Sequence, residues 1–237
     1  MDYPCEHVVA IEDEPRHHLV IANEYVRAFV VEIAPHDRTL CHHHPHDYLL
    51  YVAGEAEIVS AARGEEPKRL SYRDGECELS EAGLTHVVAN LSEAPFRNVV
   101  AELLPRGRAL QRGLRPNVIA PVGRVIEALN EIHAAIYVAE LEAGGEVEIA
   151  GPAIVATPYN KPLKADELDG IDVEAHPICD MAWVPPQTSA VLWGSQLGIE
   201  RAVIFQLGYS DEAVSSVANN TQPVRSLRAH AEEPDQD

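Results

Sequence analysis

The sequence predicts an all-β chain built as two similar units in tandem. Short stretches rich in β-branched and aromatic residues recur at close spacing, each bounded by Gly, Pro or Asp turns. The second half of the chain repeats strand-like segments of the first in the same order. With 237 residues and 46% hydrophobic content, the chain suffices for one large domain or two ordinary ones, with a real core.

Taken in order, residues 1–20 hold His7, His17 and His18 without a clear period, and Pro15 breaks any helix there. Tyr25–Ile33 reads as a strand and Pro35–Thr39 as a turn. Cys41–Gly54, CHHHPHDYLLYVAG, joins a histidine-rich loop to an apolar strand, Tyr48–Val52. Glu55–Ser60 alternates as the next strand, and Arg63–Lys68 is a charged hairpin turn. Leu70–Tyr72 and Cys77–Leu79 flank the turn dipeptide Asp74-Gly75. Thr85–Asn90 and Arg97–Leu103 complete the first unit.

Leu104–Pro121 is rich in Pro and Gly and reads as a link. Val122, Val125, Ile126 and Leu129 have helical spacing, which predicts a connecting helix over Val122–His133. Ala28–Ile33 then finds its counterpart in Ile136–Ala143, and Phe96–Leu104 in Glu200–Gly208. Asp180–Pro186 has the form of a barrel strand running into a Pro turn. The expected organisation is a first unit over 1–104, a linker with a short helix over 105–130, a second unit over 131–210, and an acidic, disordered tail over 211–237.

The formal net charge of −20 argues against nucleic acid and against anionic membranes, since both recruit basic patches. No run is long and apolar enough for a membrane helix. The start, MDYPCEHVVAIEDEP, lacks a basic segment followed by an apolar one, so no secretory signal is expected. Cys5, Cys41, Cys77 and Cys179 are scattered without a C-x-x-C pair. Reduced thiols in a cytoplasmic setting are the expectation, with Cys41 as a buried apolar thiol.

The chemistry concentrates in two stretches. In the first, strand alternation projects His42 and His44 to one face, beside Asp47. Paired imidazoles next to a carboxylate suit a borderline divalent metal. His43 should face outward. In the second stretch, GECELSEAGLTHVVAN, a turn at Gly83 leads into a strand whose first inward side chain is His86. Together the stretches offer three imidazoles and an acid.

These stretches resemble the two motifs of the cupin superfamily, G-x5-H-x-H-x(3,4)-E-x6-G and G-x5-P-x-G-x2-H-x3-N. Gly75, Gly83, His86 and Asn90 fit the second, with Glu81 where proline is usual. His42, His44 and Gly54 fit the first. Pro35 lies near the slot of the opening glycine, and Asp47 falls in the acid slot after a loop one residue short. The resemblance implies two tandem cupin barrels, each a jelly roll or double-stranded β-helix. It places a metal on His42, His44 and His86, with the fourth ligand left open between Asp47 and His46.

The second unit departs from the pattern. Ala150 and Pro152 stand opposite His42 and His44, Gln187 stands at the motif glycine, and Ala190 stands at the third histidine. It is expected to hold no metal, with His133 and His176 off the motif positions. Fe, Mn, Ni, Cu and Zn all suit the first site. Alternation counted from Asp47 turns Leu49 and Tyr51 inward, and from His86 it turns Val88 and Asn90 inward. Tyr51 is then the phenol that orients a substrate, and Arg27 and Arg97 are candidates for binding a carboxylate. No second acid or base, phosphate loop or nucleophile elbow stands out, Ser71, Ser80 and Ser92 included.

The resemblance favours a metal-dependent enzyme acting on a small organic molecule, of dioxygenase type, with the substrate chelating through vicinal oxygens. Isomerase, decarboxylase or lyase chemistry is the alternative. So is a non-catalytic metal- or small-molecule-binding bicupin, whose site a further ligand such as His46 would close. A monomer or homodimer is expected, with a small-molecule ligand as partner.

Overall fold

In the computed structural model, residues 5–119, 123–158, 168, 171–194 and 201–208 are described. The expected tail over 211–237 lies outside them. The first strands are β1 (Val9–Ala10), β2 (His17–Ala22), β3 (Val26–Ile33), β4 (His42–His43) and β5 (Tyr48–Ala53). They are followed by β6 (Ala56–Ala62), β7 (Lys68–Tyr72), β8 (Cys77–Ser80), β9 (Thr85–Asn90) and β10 (Phe96–Leu103). They form two five-stranded sheets, ordered β1-β4-β9-β6-β7 and β2-β3-β10-β5-β8. Because sequence neighbours such as β4 and β5 alternate between the sheets, the two layers enclose one interior, as in a jelly roll.

That interior takes its apolar lining from alternate positions. Phe29, Val31 and Ile33 of β3 share it with Tyr48, Leu50 and Val52 of β5 and with Val88 and Phe96. Gly54 (φ 97°) and Gly83 (φ 96°) sit at turns in the left-handed region, where a Cβ would be strained. This accounts for glycine at both motif positions. Gly83 also donates its N–H to the His44 carbonyl at 2.8 Å, tying one motif to the other.

Beyond β10 come a five-residue helix α1 (Pro105–Ala109), then β11 (Asn117–Val118), β12 (Gly123–Glu131), β13 (Ala134–Leu141) and β14 (Glu146–Ala150). They are followed by β15 (Ala153–Pro158), β16 (Val173–Glu174), β17 (Cys179–Val184), β18 (Ser189–Trp193) and β19 (Ala202–Leu207). Their sheets are ordered β11-β14-β18 and β12-β13-β19-β15-β17-β16. The described chain divides into two compact units. One holds residues up to Leu19 and Phe29–Val100, the other Val20–Ala28 and residues from Ala101 onward. No helix among the described residues is long and apolar enough to cross a membrane.

Two expectations need correction. The segment expected as a helix over Val122–His133 is the strand β12 across Gly123–Glu131, paired antiparallel with β13. Val125 and Leu129 are four apart, a spacing that suits a helix face. In the strand both are half-buried, a bulge lies between Glu127 and Leu129, and Ile126 is 41% exposed. The four cysteines are also not all free. Cys5 and Cys41 form a disulfide with Cα atoms 5.1 Å apart, leaving only Cys77 and Cys179 as thiols. Cys41 is buried as expected, but bonded.

Asn90, expected to point inward, instead closes the end of the barrel. Its amide nitrogen donates to the carbonyls of Ile33 (3.0 Å), Ala34 (3.2 Å) and Ala94 (2.8 Å), and its oxygen accepts from Ser92 N–H at 2.9 Å. Truncation would strand these groups in a site where Asn90 is only 1% exposed. Asn90→Ala should therefore cost about 2–4 kcal/mol in urea unfolding. Metal uptake should be unchanged. A loss below about 0.5 kcal/mol would mean that water replaces the amide without penalty.

Candidate metal centre

The site begins with a register. His42 of β4 lies directly opposite His86 of β9 in an antiparallel pair, so the two imidazoles leave the sheet side by side. Their ring centres are 4.7 Å apart. His44 follows two positions after His42, with ring centres 5.0 Å from His42 and 5.3 Å from His86. The residues drawn from the two distant stretches are thus brought together.

A fourth imidazole joins them from a segment without sequence period. His17, the first residue of β2, places its ring centre 4.6 Å from that of His42 and 6.1 Å from that of His44. His17, His42 and His44 each offer a ligand atom, all within 4.8 Å of one another. Among the described residues they form the only such group of His, Cys, Asp or Glu. Spacing could not reveal His17, because its approach depends on the pairing of whole strands.

The outer faces of these rings are held. His17 Nδ1 lies 2.8 Å from Glu14 Oε2, His42 Nδ1 lies 3.0 Å from the Leu40 carbonyl, and His86 Nδ1 lies 3.1 Å from Ser60 Oγ. A carbonyl only accepts, so His42 carries its proton on Nδ1 and turns Nε2 inward as a lone pair. Nε2 of His42 is buried with no hydrogen-bond partner. A buried acceptor facing other imidazoles is what a bound cation would satisfy, so the donor set fits a borderline divalent metal. His44 is stacked on Tyr48, ring centres 4.2 Å apart, and donates its backbone N–H to the Leu84 carbonyl.

Glu14 supports this arrangement. Burial alone would raise its pKa, but His17 and the N–H groups of Arg16 (2.7 Å) and Leu40 (3.1 Å) reverse that and hold it near 2. Arg16 adds its guanidinium and is itself clamped on Asp37 through three hydrogen bonds of 2.8–3.0 Å.

The other candidates lie elsewhere. Asp47 Oδ1 accepts the Ala82 N–H at 2.9 Å, bracing the loop before β9. Neither Asp47 nor His46 is among the residues lining the cavity at the imidazoles. His43 turns to Thr85 Oγ1 at 2.9 Å, away from the group. Tyr51 is fully buried but also outside the cavity lining; Tyr48, Leu50 and Val52 take the inward face instead. Alternation counted from Asp47 loses phase because Asp47 precedes the strand, which starts at Tyr48. Arg27 pairs with Glu102 at 2.5 Å and Arg97 with Glu32 at 2.6 Å, within their own sheet. In the second unit, Ala190 and Ile149 face each other across the β14–β18 pair, inside an apolar cluster. His133 meets the Arg108 carbonyl, and His176 accepts from Ile178 N–H.

The cavity itself is small, about 110 Å³. Beyond the four imidazoles its lining is mostly apolar, with Tyr48, Tyr72 and Glu78 among the exceptions. The Tyr72 hydroxyl donates to Glu78 Oε1 at 3.2 Å. Glu78 is the acid that spacing failed to single out. Its register opposite Leu50 carries it onto the inner face.

Burial, reinforced by neighbouring imidazoles, pushes His42 down to about 3 and His86 well below its usual value. Unfolded imidazoles titrate near 6.5, so below that pH the unfolded metal-free chain takes up protons that the folded one refuses. Stability is therefore full above pH 6.5 and is lost as pH falls toward 3. Each imidazole should contribute about 1.4 kcal/mol per pH unit in that window. Urea unfolding of metal-free protein should reveal roughly 3 kcal/mol lost between about pH 6.5 and 5, and less in His42→Ala. A flat profile would mean that these rings are solvated.

No family model matches the sequence, and no curated protein matches it either. Solved structures do. Vicilin from tomato (Solanum lycopersicum) superposes over 79% of this chain and 76% of its own, with TM-score 0.55 and 13% identity. A salicylate 1,2-dioxygenase from Pseudaminobacter salicylatoxidans covers 86% of this chain and 78% of its own, with TM-score 0.48 and 15% identity. A cupin domain from Bordetella pertussis covers 37% of this chain and 90% of its own, with TM-score 0.35 and 23% identity. The likeness to vicilin shows the fold, two jelly-roll barrels in tandem, and the first barrel carries its histidines at the two motif positions.

Proposed function

We propose that the first barrel is a divalent-metal centre acting on a small organic molecule, with dioxygenase-type chemistry as the reading favoured. The observation that carries it is the convergence of His17, His42, His44 and His86 on one cavity whose remaining lining is mostly apolar. When bound there, a transition metal supplies Lewis acidity or redox chemistry to a small ligand. The chain's own part is to hold neutral imidazoles at the ion, to exclude water with Leu50, Val88 and Phe96, and to seat the substrate beside Tyr48. Burial keeps His42 and His86 unprotonated at neutral pH, ready to ligate. The cavity speaks against a purely metal-binding role, which would call for a site closed by a further protein ligand. Isomerase, decarboxylase or lyase chemistry would use the same centre without O₂.

The test is metal content by elemental analysis, after anaerobic loading with Fe(II), Mn(II), Ni(II), Cu(II) or Zn(II). Wild type should hold about one ion per chain, as expected of a single His-rich centre. His17→Ala and His86→Ala should each weaken binding at least ~10-fold, and Glu14→Gln should weaken it by about 10-fold through the freed His17 ring. Asp47→Ala should stay within about twofold of wild type, because its carboxylate serves a backbone N–H. Undiminished metal in His86→Ala sinks the assignment. O₂ uptake with small vicinal-oxygen compounds then separates oxygenase from O₂-independent chemistry.

A further inference from the structure

The cavity carries one acidic side chain that metal binding does not use. Glu78 lines it together with the four imidazoles, and among the described residues no Lys or Arg is part of that lining. Its described partner there is the Tyr72 hydroxyl, which donates to Oε1. Tyr72 is in turn fixed by stacking on Phe96, ring centres 5.9 Å apart and planes 12° from parallel. The register places Glu78 opposite Leu50 and Ser80 opposite Tyr48, the residue stacked on His44. Glu78 is thus two residues, about 7 Å, along the inner face from the His44–Tyr48 stack. Glu78, Tyr48 and the four imidazoles line one small cavity, so a molecule held at the imidazoles shares that enclosure with the carboxylate.

A carboxyl group in an apolar cavity without a cation is costly as structure. Burial, with Glu76 nearby, raises the Glu78 pKa, while the Tyr72 bond works against the rise. This is the environment in which a carboxylate accepts a proton readily.

Building on the metal reading above, we propose that Glu78 is a catalytic residue, the general base that takes a proton from a substrate hydroxyl as that substrate chelates the ion. The substrate O–H bond breaks, its electron pair stays on the substrate oxygen, and the proton forms an O–H bond on Glu78 Oε2. Nothing is oxidised in this step, and the proton returns when product leaves. Tyr72 is a positioning residue that holds Oε1. The same lining sets the substrate class. A cavity with a carboxylate and no Lys or Arg disfavours preformed polyanions. It suits a neutral or weakly acidic molecule with two vicinal oxygens, at least one bearing an ionisable proton, such as an enediol or a hydroxy ketone.

Proton accounting tests this without the natural substrate. Acetohydroxamic acid is a small chelator whose O–H must ionise when it binds a divalent ion through both oxygens. It would be titrated into metal-loaded wild type and Glu78→Gln near pH 7, by calorimetry in two buffers of different ionisation enthalpy. Wild type should release fewer protons to buffer than Glu78→Gln, by about half to one proton per site. Metal content and thermal unfolding of Glu78→Gln should match wild type, because the isosteric amide still accepts from Tyr72; Glu78→Asp, which keeps the carboxylate, should restore part of the proton uptake. Equal release with chelation intact overturns Glu78 alone. Metal-loaded wild type that does not bind the chelator overturns the Glu78 assignment, whereas wild type that takes up no metal overturns the metal reading beneath it.

Discussion

The first barrel depends on one buried carboxylate. Glu14 has a fully buried side chain, yet it is held ionised by Arg16, Leu40 and His17. Leu40 carries the effect onward: its N–H goes to Glu14 and its carbonyl to His42 Nδ1. One chain of bonds, His17–Glu14–Leu40–His42, therefore sets two imidazoles from different strands. Without it, β2 would bring His17 near the centre but leave its ring free to rotate. The cost of burying Glu14 is offset by charge-assisted bonds, and it is repaid in orientation rather than in net stability.

The same fold appears twice, and its two interiors show what the histidines displace. In the second unit Tyr137, Val147, Ile149, Val155, Leu192 and Ile204 fill the barrel as ordinary packing. In the first, His42, His44 and His86 occupy the matching inner face, and their polar nitrogens keep it from closing as a dry core. Neither arrangement needs a change of backbone. What differs is whether inward positions carry volume or ligand atoms.

Much of this was legible in the sequence. The strands of the first unit, the turns at Gly54 and Gly83, and the facing of His42, His44 and His86 follow from alternation and from two short spacings. Three features were not. His17 comes from a segment without period, and only the pairing of β2 and β4 within their sheets brings it in. Tyr48 lines the cavity where alternation points to Tyr51, because Asp47 precedes the strand; one residue of phase turns every side chain over. Gly123–Glu131 read as a helix because residues four apart share a face in a helix and in a strand alike. Composition gave no warning of the bonded Cys5 and Cys41, because a pairing across the fold leaves no trace in spacing.

The displaced acid has a chemical consequence. The motif places a carboxylate among the metal ligands, where it would lower the charge of the centre and also stand beside any substrate. Here Asp47 caps a loop, an imidazole lies beside His42 and His44, and among the described residues the only carboxylate in the cavity lining is Glu78. A centre held by imidazoles instead of a carboxylate would leave the full dicationic charge on a bound ion, which strengthens its pull on an ionisable ligand. The two tasks of the acid, holding charge and accepting a proton, are thereby divided between separate residues. This division ties the choice of ligand set to the kind of substrate the cavity can take.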